Sequence, residues 1–291
     1  MNRSALNAGL AALVLALGAG AWFAKQKKGE PKDTLTPLAA EGVNRILVEW
    51  PGSPAIELSR QGEDWFLQQP VKARADRFEA VGATSLASTA VQETVDGEGL
   101  DLKELGLDPP GHSVTLNDVK IEFGGMEPLQ SRRYVRAGTQ VQLIDDPATA
   151  ALDKDYADLV SKDLFAASDE LVKIELPGLT LSRDDKGQWT APVGTANANP
   201  AALKALAEGW KSARAMWNEL AEGVEPAGDR VRITTRAGTV QDYIVAATDP
   251  QLALYSPALK LRHQLSKALA DELLKLPAPK AAEPAPVAAT P

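Results

Sequence analysis

Four kinds of side chain in this sequence have types and spacings that chemistry could use. Adjacent carboxylates stand at Asp145-Asp146 and Asp184-Asp185, the pairing that general acid–base or calcium chemistry needs. Asp96-Gly97-Glu98-Gly99-Leu100-Asp101 has the acidic, glycine-rich look of a calcium loop but lacks the D-x-[DN]-x-[DN]-G order and the closing glutamate. Each has a plainer role: Asp146 as a helix cap before Pro147, and Asp184-Asp185-Lys186-Gly187 as a hairpin turn before Trp189. Arg132, Arg133 and Arg136 form a basic cluster on an expected strand, where alternation sets Arg132 and Arg136 on one face and Arg133 on the other. An anion, lipid-headgroup or partner contact would run through these three arginines; a solvated strand face is the plainer reading. His112, expected in a turn, and His263, expected early in a helix, have no partner at ligand spacing and read as surface or boundary residues. Trp65, Trp189, Trp210 and Trp217 are the residue type of a sugar platform, but their helix or strand periodicity assigns them to the core.

Composition narrows the chemistry further. The 291 residues include no cysteine and two histidines, which removes disulfides, cysteine-ligated metals, thiol catalysis and multi-histidine metal sites. G-x-S-x-G, H-E-x-x-H, G-x-x-x-x-G-K-[ST] and G-x-G-x-x-G are all absent, and most common hydrolase, NTPase and dinucleotide sites leave one of these traces. No catalytic, cofactor-binding or metal-ligating residue is therefore assigned, and a non-enzymatic protein is expected. A net charge of −8 lacks the basic stripe of a nucleic-acid binder.

The elements that would position these residues repeat. Ile46 to Trp50, Ile56 to Leu58 and Trp65 to Leu67 read as short strands, followed by a helix behind Asp76 with Phe78, Val81, Gly82, Ser85 and Leu86 on one face. The order returns with Leu171 to Leu176, Leu181-Ser182-Arg183 and Trp189. A helix behind Asn199-Pro200 follows, with Leu203, Leu206, Ala207, Trp210 and Trp217 as its apolar face. Each copy then carries a β pair, Val114 to Phe123 with Arg133 to Ile144, and Arg230 to Arg236 with Val240 to Ala246. Val141 to Ile144 before Asp146-Pro147 matches Leu252 to Tyr255 before Ser256-Pro257, each leading into a helix. The first of these helices carries Leu152, Tyr156, Leu159 and Val160, and the second Leu265, Leu269 and Leu273. About 14 extra residues in the first copy fall around Leu100 to Gly111. The expected fold is α+β: two tandem related modules of mostly antiparallel strands with helices, residues 43–167 and 168–276. A linker over 29–42 and a Pro/Ala-rich tail over 277–291 flank them.

Ahead of the linker, residues 1–28 read as an N-terminal transmembrane anchor or signal segment. Ala5 to Ala24 is an unbroken apolar run whose only conventionally polar side chain is Asn7, and as a helix it spans about 30 Å, the hydrocarbon thickness of a bilayer. Ala19-Gly20-Ala21 fits a signal-peptidase site, but the apolar run continues past it, which favours an uncleaved anchor. Lys25, Lys27, Lys28 and Lys32 after the span, against Arg3 before it, would by charge alone keep the body in the cytoplasm. Residues 1–28 carry +4, leaving the remainder at −12. An acidic body of this kind is repelled by anionic headgroups and held off the membrane surface.

Gly106-Leu107-Asp108-Pro109-Pro110, then Phe123-Gly124, then Arg133-Tyr134-Val135 resembles the domain-of-unknown-function 4340 family over roughly Val43 to Ala167. The second copy is a diverged relative without the FG and RYV signatures. The proline-rich turn itself has a structural rationale, with Asp108 bonding the backbone and the prolines forcing an extended exit. The resemblance implies a bacterial envelope protein with one N-terminal hydrophobic segment, associated with gliding-motility or ABC-type transporter accessory systems. It supplies no catalytic residue. It implies a single pass of the cytoplasmic (inner) membrane with the body in the periplasm, against the charge count. The expected role is thus an interaction or scaffold module of a membrane transport complex; the alternative is a small-ligand, glycan or lipid-binding protein using the cleft between the modules.

Overall fold

The computed structural model describes residues 33–95, 100–129, 131–145, 154–221 and 223–276. The apolar segment Ala5 to Ala24, Asp96 to Gly99 of the calcium-like loop, the Asp146-Pro147 cap with Leu152, and the 277–291 tail lie outside these residues. Among the described residues no helix is long and apolar enough to cross a membrane.

The first module runs β1 (Arg45–Glu49), β2 (Ile56–Gln61), β3 (Asp64–Gln69), β4 (Ala73–Arg74), α1 (Arg77–Thr84), β5 (Val91–Val95), β6 (His112–Leu116), β7 (Val119–Met126), β8 (Arg132–Ala137), β9 (Gln140–Asp145) and α2 (Tyr156–Leu159). The second runs β10 (Leu171–Leu176), β11 (Leu179–Arg183), β12 (Trp189–Thr190), α3 (Pro200–Ser212), β13 (Trp217–Leu220), β14 (Asp229–Thr235), β15 (Val240–Ala247), β16 (Leu252–Ser256), β17 (Leu261–Leu265) and α4 (Ala268–Leu274). Both sheets are antiparallel, in the orders β4-β3-β2-β1-β6-β7-β8-β9-β5 and β12-β11-β10-β14-β15-β16-β17-β13. Apart from the two-residue β4, the orders superimpose strand for strand, so the duplication is a duplication of topology.

That topology corrects the pairing of the copies. Val141 to Ile144 lies in β9, whose counterpart is β17, whereas Leu252 to Tyr255 is β16, the counterpart of β8. Ser256-Pro257 opens a turn into β17 rather than a helix; Leu261 to Leu265 pairs with both β16 and β13. Only then does α4 begin, at Ala268. Val114 to Phe123 and Arg133 to Ile144 are each a hairpin of two strands. The β5–β6 connection, residues 96–111, is longer than its counterpart between β13 and β14, residues 221–228, by eight residues and not by about 14, because Pro147 and Pro257 are not equivalent positions.

Local sequence explains the helices. Asn199 Oδ1 accepts the Ala202 N–H at 2.9 Å and Pro200 opens α3; Leu203, Leu206, Ala207 and Trp210 are buried at helical spacing. Trp217 is not on this helix. It lies in β13 and is 41% exposed. Asp76 caps α1 through Phe78 and Glu79, yet the buried face is Ala80, Ala83 and Thr84, while Phe78 is 83% exposed and Val81 50%. The cap residue is also tied by its own N–H to Leu159 O, which fixes the helix rotation with the small residues against the sheet.

The modules are fused through the residues after α2. Ala75 bridges Val160, and Ser161 N–H bonds Arg74 O, extending the β4 edge of the first sheet. Immediately beyond, Leu164 N–H bonds Ala213 O and Ala215 N–H bonds Lys162 O, around an Asp163–Arg214 bridge in the second module. The first module opens with the same device: Leu35 N–H to Thr89 O, Val91 N–H to Asp33 O, and a Thr34–Ala90 bridge. Asp33 to Gly42, expected as linker, is therefore part of the first module, with Leu35 and Thr36 buried. The second module begins near Lys162, ahead of the expected Ser168. Leu261 of the second sheet packs into the first module's core, so the two cores meet at this seam.

Candidate functional site

The family-like motif forms one mechanical lock. Gly106 has φ +69, and a Cβ there would stand 2.9 Å from Gly125 N; a Cβ on Gly124 would meet Leu105 O at 2.4 Å. These two glycines let the Leu100 to Gly111 loop lie directly on β7, where Gly125 N–H bonds Leu105 O and Leu107 is fully buried. Arg133 Nη1 donates to Gly124 O at 2.9 Å, beside the bulge between Phe123 and Met126. Phe123 is buried in the core, Tyr134 is half-buried opposite Leu143, and Asp108 and Pro109 are exposed, with Pro110 half-buried. Asp108 makes no hydrogen bond among the described residues; Asp101 caps this turn instead, accepting the Lys103 N–H.

The arginine cluster is engaged from within. Arg136 pairs with Glu122, its cross-strand neighbour, at 2.5 Å, and Arg132 stands 3.9 Å from Glu93. Val135 is buried, so Arg133 shares the core-side face and Arg132 and Arg136 the other, as alternation requires. Asp145 accepts from Gln92. Asp184 Oδ1 accepts the N–H groups of Lys186 and Gln188, closing the hairpin turn expected there. Asp145 stands directly across the β8–β9 ladder from Arg132, whereas Asp184-Asp185 lies in the other module, and no metal-holding cluster occurs among the described residues.

Both histidines are corrections: each is buried in a strand. His112 opens β6, stacked between Trp50 at 4.1 Å and Phe123 at 4.3 Å. His263 is in the middle of β17, 3% exposed, with Nδ1 2.7 Å from Asn218 Oδ1. Asn218 Nδ2 donates to Ala157 O and Val160 O, so its oxygen accepts, His263 Nδ1 carries the proton, and Nε2 is left as an acceptor. Burial pushes the imidazole down to about 4, and the same cause raises the Tyr243 hydroxyl well above its usual range. Trp65 and Trp210 are core residues and Trp189 packs against the second core.

His263 and Tyr243 line a cleft of about 440 Å3 between the modules. Its apolar wall includes Val160, Leu164 and Leu259, and Lys72 and Arg74 approach from the first module. The cleft's carboxylates are already engaged: Asp163 with Arg214 at 2.7 Å, Asp242 with Arg232 at 2.7 Å, and Asp169 with the Ala166 N–H. Lys72 and Arg74 make no ion pair among the described residues, and Arg74 Nη1 is buried without a hydrogen-bond partner. A second groove, of about 480 Å3 beside α3, differs in this respect. There Glu170 takes Arg183, which lies over the Trp189 ring, while Lys204 faces Glu208 at 3.6 Å and Lys211 bonds Ala166 O. The cleft residues escaped sequence reasoning, apart from His263; the one local signal is the alternation of Lys72 and Arg74 around Ala73 after Pro70.

The family model described as Domain of unknown function (DUF4340) matches residues 65–225. That span begins at Trp65, contains the Gly106 and Gly124 lock, crosses the seam and ends beyond β13. No curated protein and no solved structure matches the chain.

Proposed function

The chain belongs to the family described as Domain of unknown function (DUF4340), and from that premise we propose that it is a membrane-anchored, non-enzymatic interaction module. In this reading residues 5–24 hold it in the cytoplasmic membrane and the duplicated body stands in the periplasm, serving as an accessory part of a membrane transport complex. The observation that carries the reading is the seam. Two sheets of like topology are joined by backbone hydrogen bonds on both sides of Lys162 and by the Lys162–Asp76 ion pair at 3.2 Å. A body so locked presents its surfaces in a fixed relation, which is what a scaffold needs and what lowers the ordering cost of binding.

Electrostatics supports a body held clear of the lipid: the chain beyond residue 28 carries −12. One edge of each sheet is blunted as well, since β4 and β12 have two residues each and β4 is covered by the seam. A reporter active only outside the cytoplasm, fused after Pro291, tests the placement. An active fusion at the mass of the uncleaved chain is the expected result, and a fusion active only in the cytoplasm overturns it.

A further inference from the structure

The cleft at the seam has a charge imbalance that the fold itself does not resolve. β4 places Ala73 toward the first core and Lys72 and Arg74 on the opposite side, facing the second module. Asp163 and Asp242 are each neutralised by an arginine, whereas Asp169 accepts only a backbone N–H and keeps its charge, so Lys72 and Arg74 leave the cleft with one cation in excess. Burying a guanidinium N–H with no acceptor costs stability, and Arg74 Nη1 is in that condition. His263 lines the same cleft, and its Nε2 makes no hydrogen bond among the described residues, its Nδ1 being held by Asn218. Beside these polar groups the wall carries the aliphatic side chains of Val160, Leu164 and Leu259.

We propose that this cleft binds a small amphiphile bearing one carboxylate or phosphate on a short aliphatic body. Arg74 and Lys72 take the anionic oxygens, the guanidinium through charge-assisted hydrogen bonds. The aliphatic body lies on Val160, Leu164 and Leu259, and a hydroxyl on it is met by His263 Nε2. The cleft volume of about 440 Å3 falls within the range of small-molecule sites and is too small for a folded partner. Carboxylate and phosphate heads share this chemistry, and the choice of probes separates them. Because the site is made from both modules, occupancy also tightens the seam.

Isothermal titration of the full chain with hexanoate, hexyl phosphate, inorganic phosphate and hexanol tests the proposal. Hexanoate or hexyl phosphate binds, identifying the head; hexanol does not; inorganic phosphate binds at least about tenfold more weakly than the alkylated anion. Arg74→Gln weakens the alkylated anion by at least about tenfold, while Arg183→Gln, in the other groove, leaves it unchanged. With only two histidines in the chain, 15N-histidine spectra give an independent readout: the His263 ring signals move on binding and those of His112 do not. Binding by neither alkylated anion, equal binding by hexanol or by inorganic phosphate, or binding indifferent to Arg74→Gln overturns the proposal.

Discussion

Acidification tests the seam through His263, with Asp158, whose carboxyl is raised by burial and then by Asp155, acting in the opposite sense in wild type and variant alike. His263 is buried and neutral, with its titration pushed down to about 4, whereas an unfolded chain takes up the same proton near pH 6.5. Above pH 6.5 neither state is protonated and stability is complete. As pH falls from 6.5 toward 4 the unfolded chain gains a proton that the folded chain refuses, so stability drains across that window. A gap of about 2.5 pH units, at about 1.4 kcal/mol each, amounts to roughly 3 kcal/mol. Asp76 does not blur the result. Burial works to raise its carboxyl, but the hydrogen bond and charge of Lys162, with the Glu79 and Phe78 N–H groups, hold it below 3.8, so its loss comes at lower pH. Urea unfolding followed by tryptophan fluorescence at pH 7, 6, 5 and 4 measures the slope. His263→Gln removes the titrating ring and flattens the curve by roughly 3 kcal/mol over that range. Equal acid slopes in wild type and variant would falsify the assignment of His263 as a buried neutral base.

Three substitutions probe other parts of the structure by the same unfolding assay. Gly124→Ala puts a methyl 2.4 Å from Leu105 O and destabilises by about 2 kcal/mol or more, whereas Gly82→Ala, with nothing within 4 Å, does not; equal effects contradict the loop lock. Asp76→Ala removes the α1 cap and the Lys162 ion pair together, at a cost of about 1–2 kcal/mol; a change below about 0.3 kcal/mol contradicts the seam as described. Phe78→Ser, at a side chain 83% exposed, changes stability by less than about 0.5 kcal/mol, and a larger loss would place Phe78 in a core.

The parts of this fold written in local pattern were legible. Ile46 and Val48, Leu58, and Trp65 and Leu67 alternate into one core, and Pro51-Gly52 and Pro177-Gly178 mark their turns with glycines at positive φ. Asn199-Pro200 announced α3 correctly. Misreadings arose where two periods overlap. Leu265, Leu269 and Leu273 recur every four residues and read as one helix, but Leu261, His263 and Leu265 recur every two, and pairing with strands on both sides decides for the sheet. In α1 the large side chains Phe78 and Val81 dominate any hydrophobicity pattern, while the buried face is made of Ala80 and Ala83, whose contribution depends on close packing. A cleft between the modules was expected from the duplication, but which side chains line it was not legible, because that is a matter of bookkeeping across distance. Lys72 and Arg74 become exceptional only once Asp163 and Asp242 are seen to be neutralised elsewhere.

The central claim, an anchored body that works by holding a membrane partner, is tested most directly by cross-linking in intact native membranes followed by detergent purification of the tagged full chain. The expected result is repeated recovery of the same multi-span membrane transport component, cross-linked to a peptide from residues 33–276. Recovery of the chain alone, cross-linked only to itself or to nothing, would contradict it.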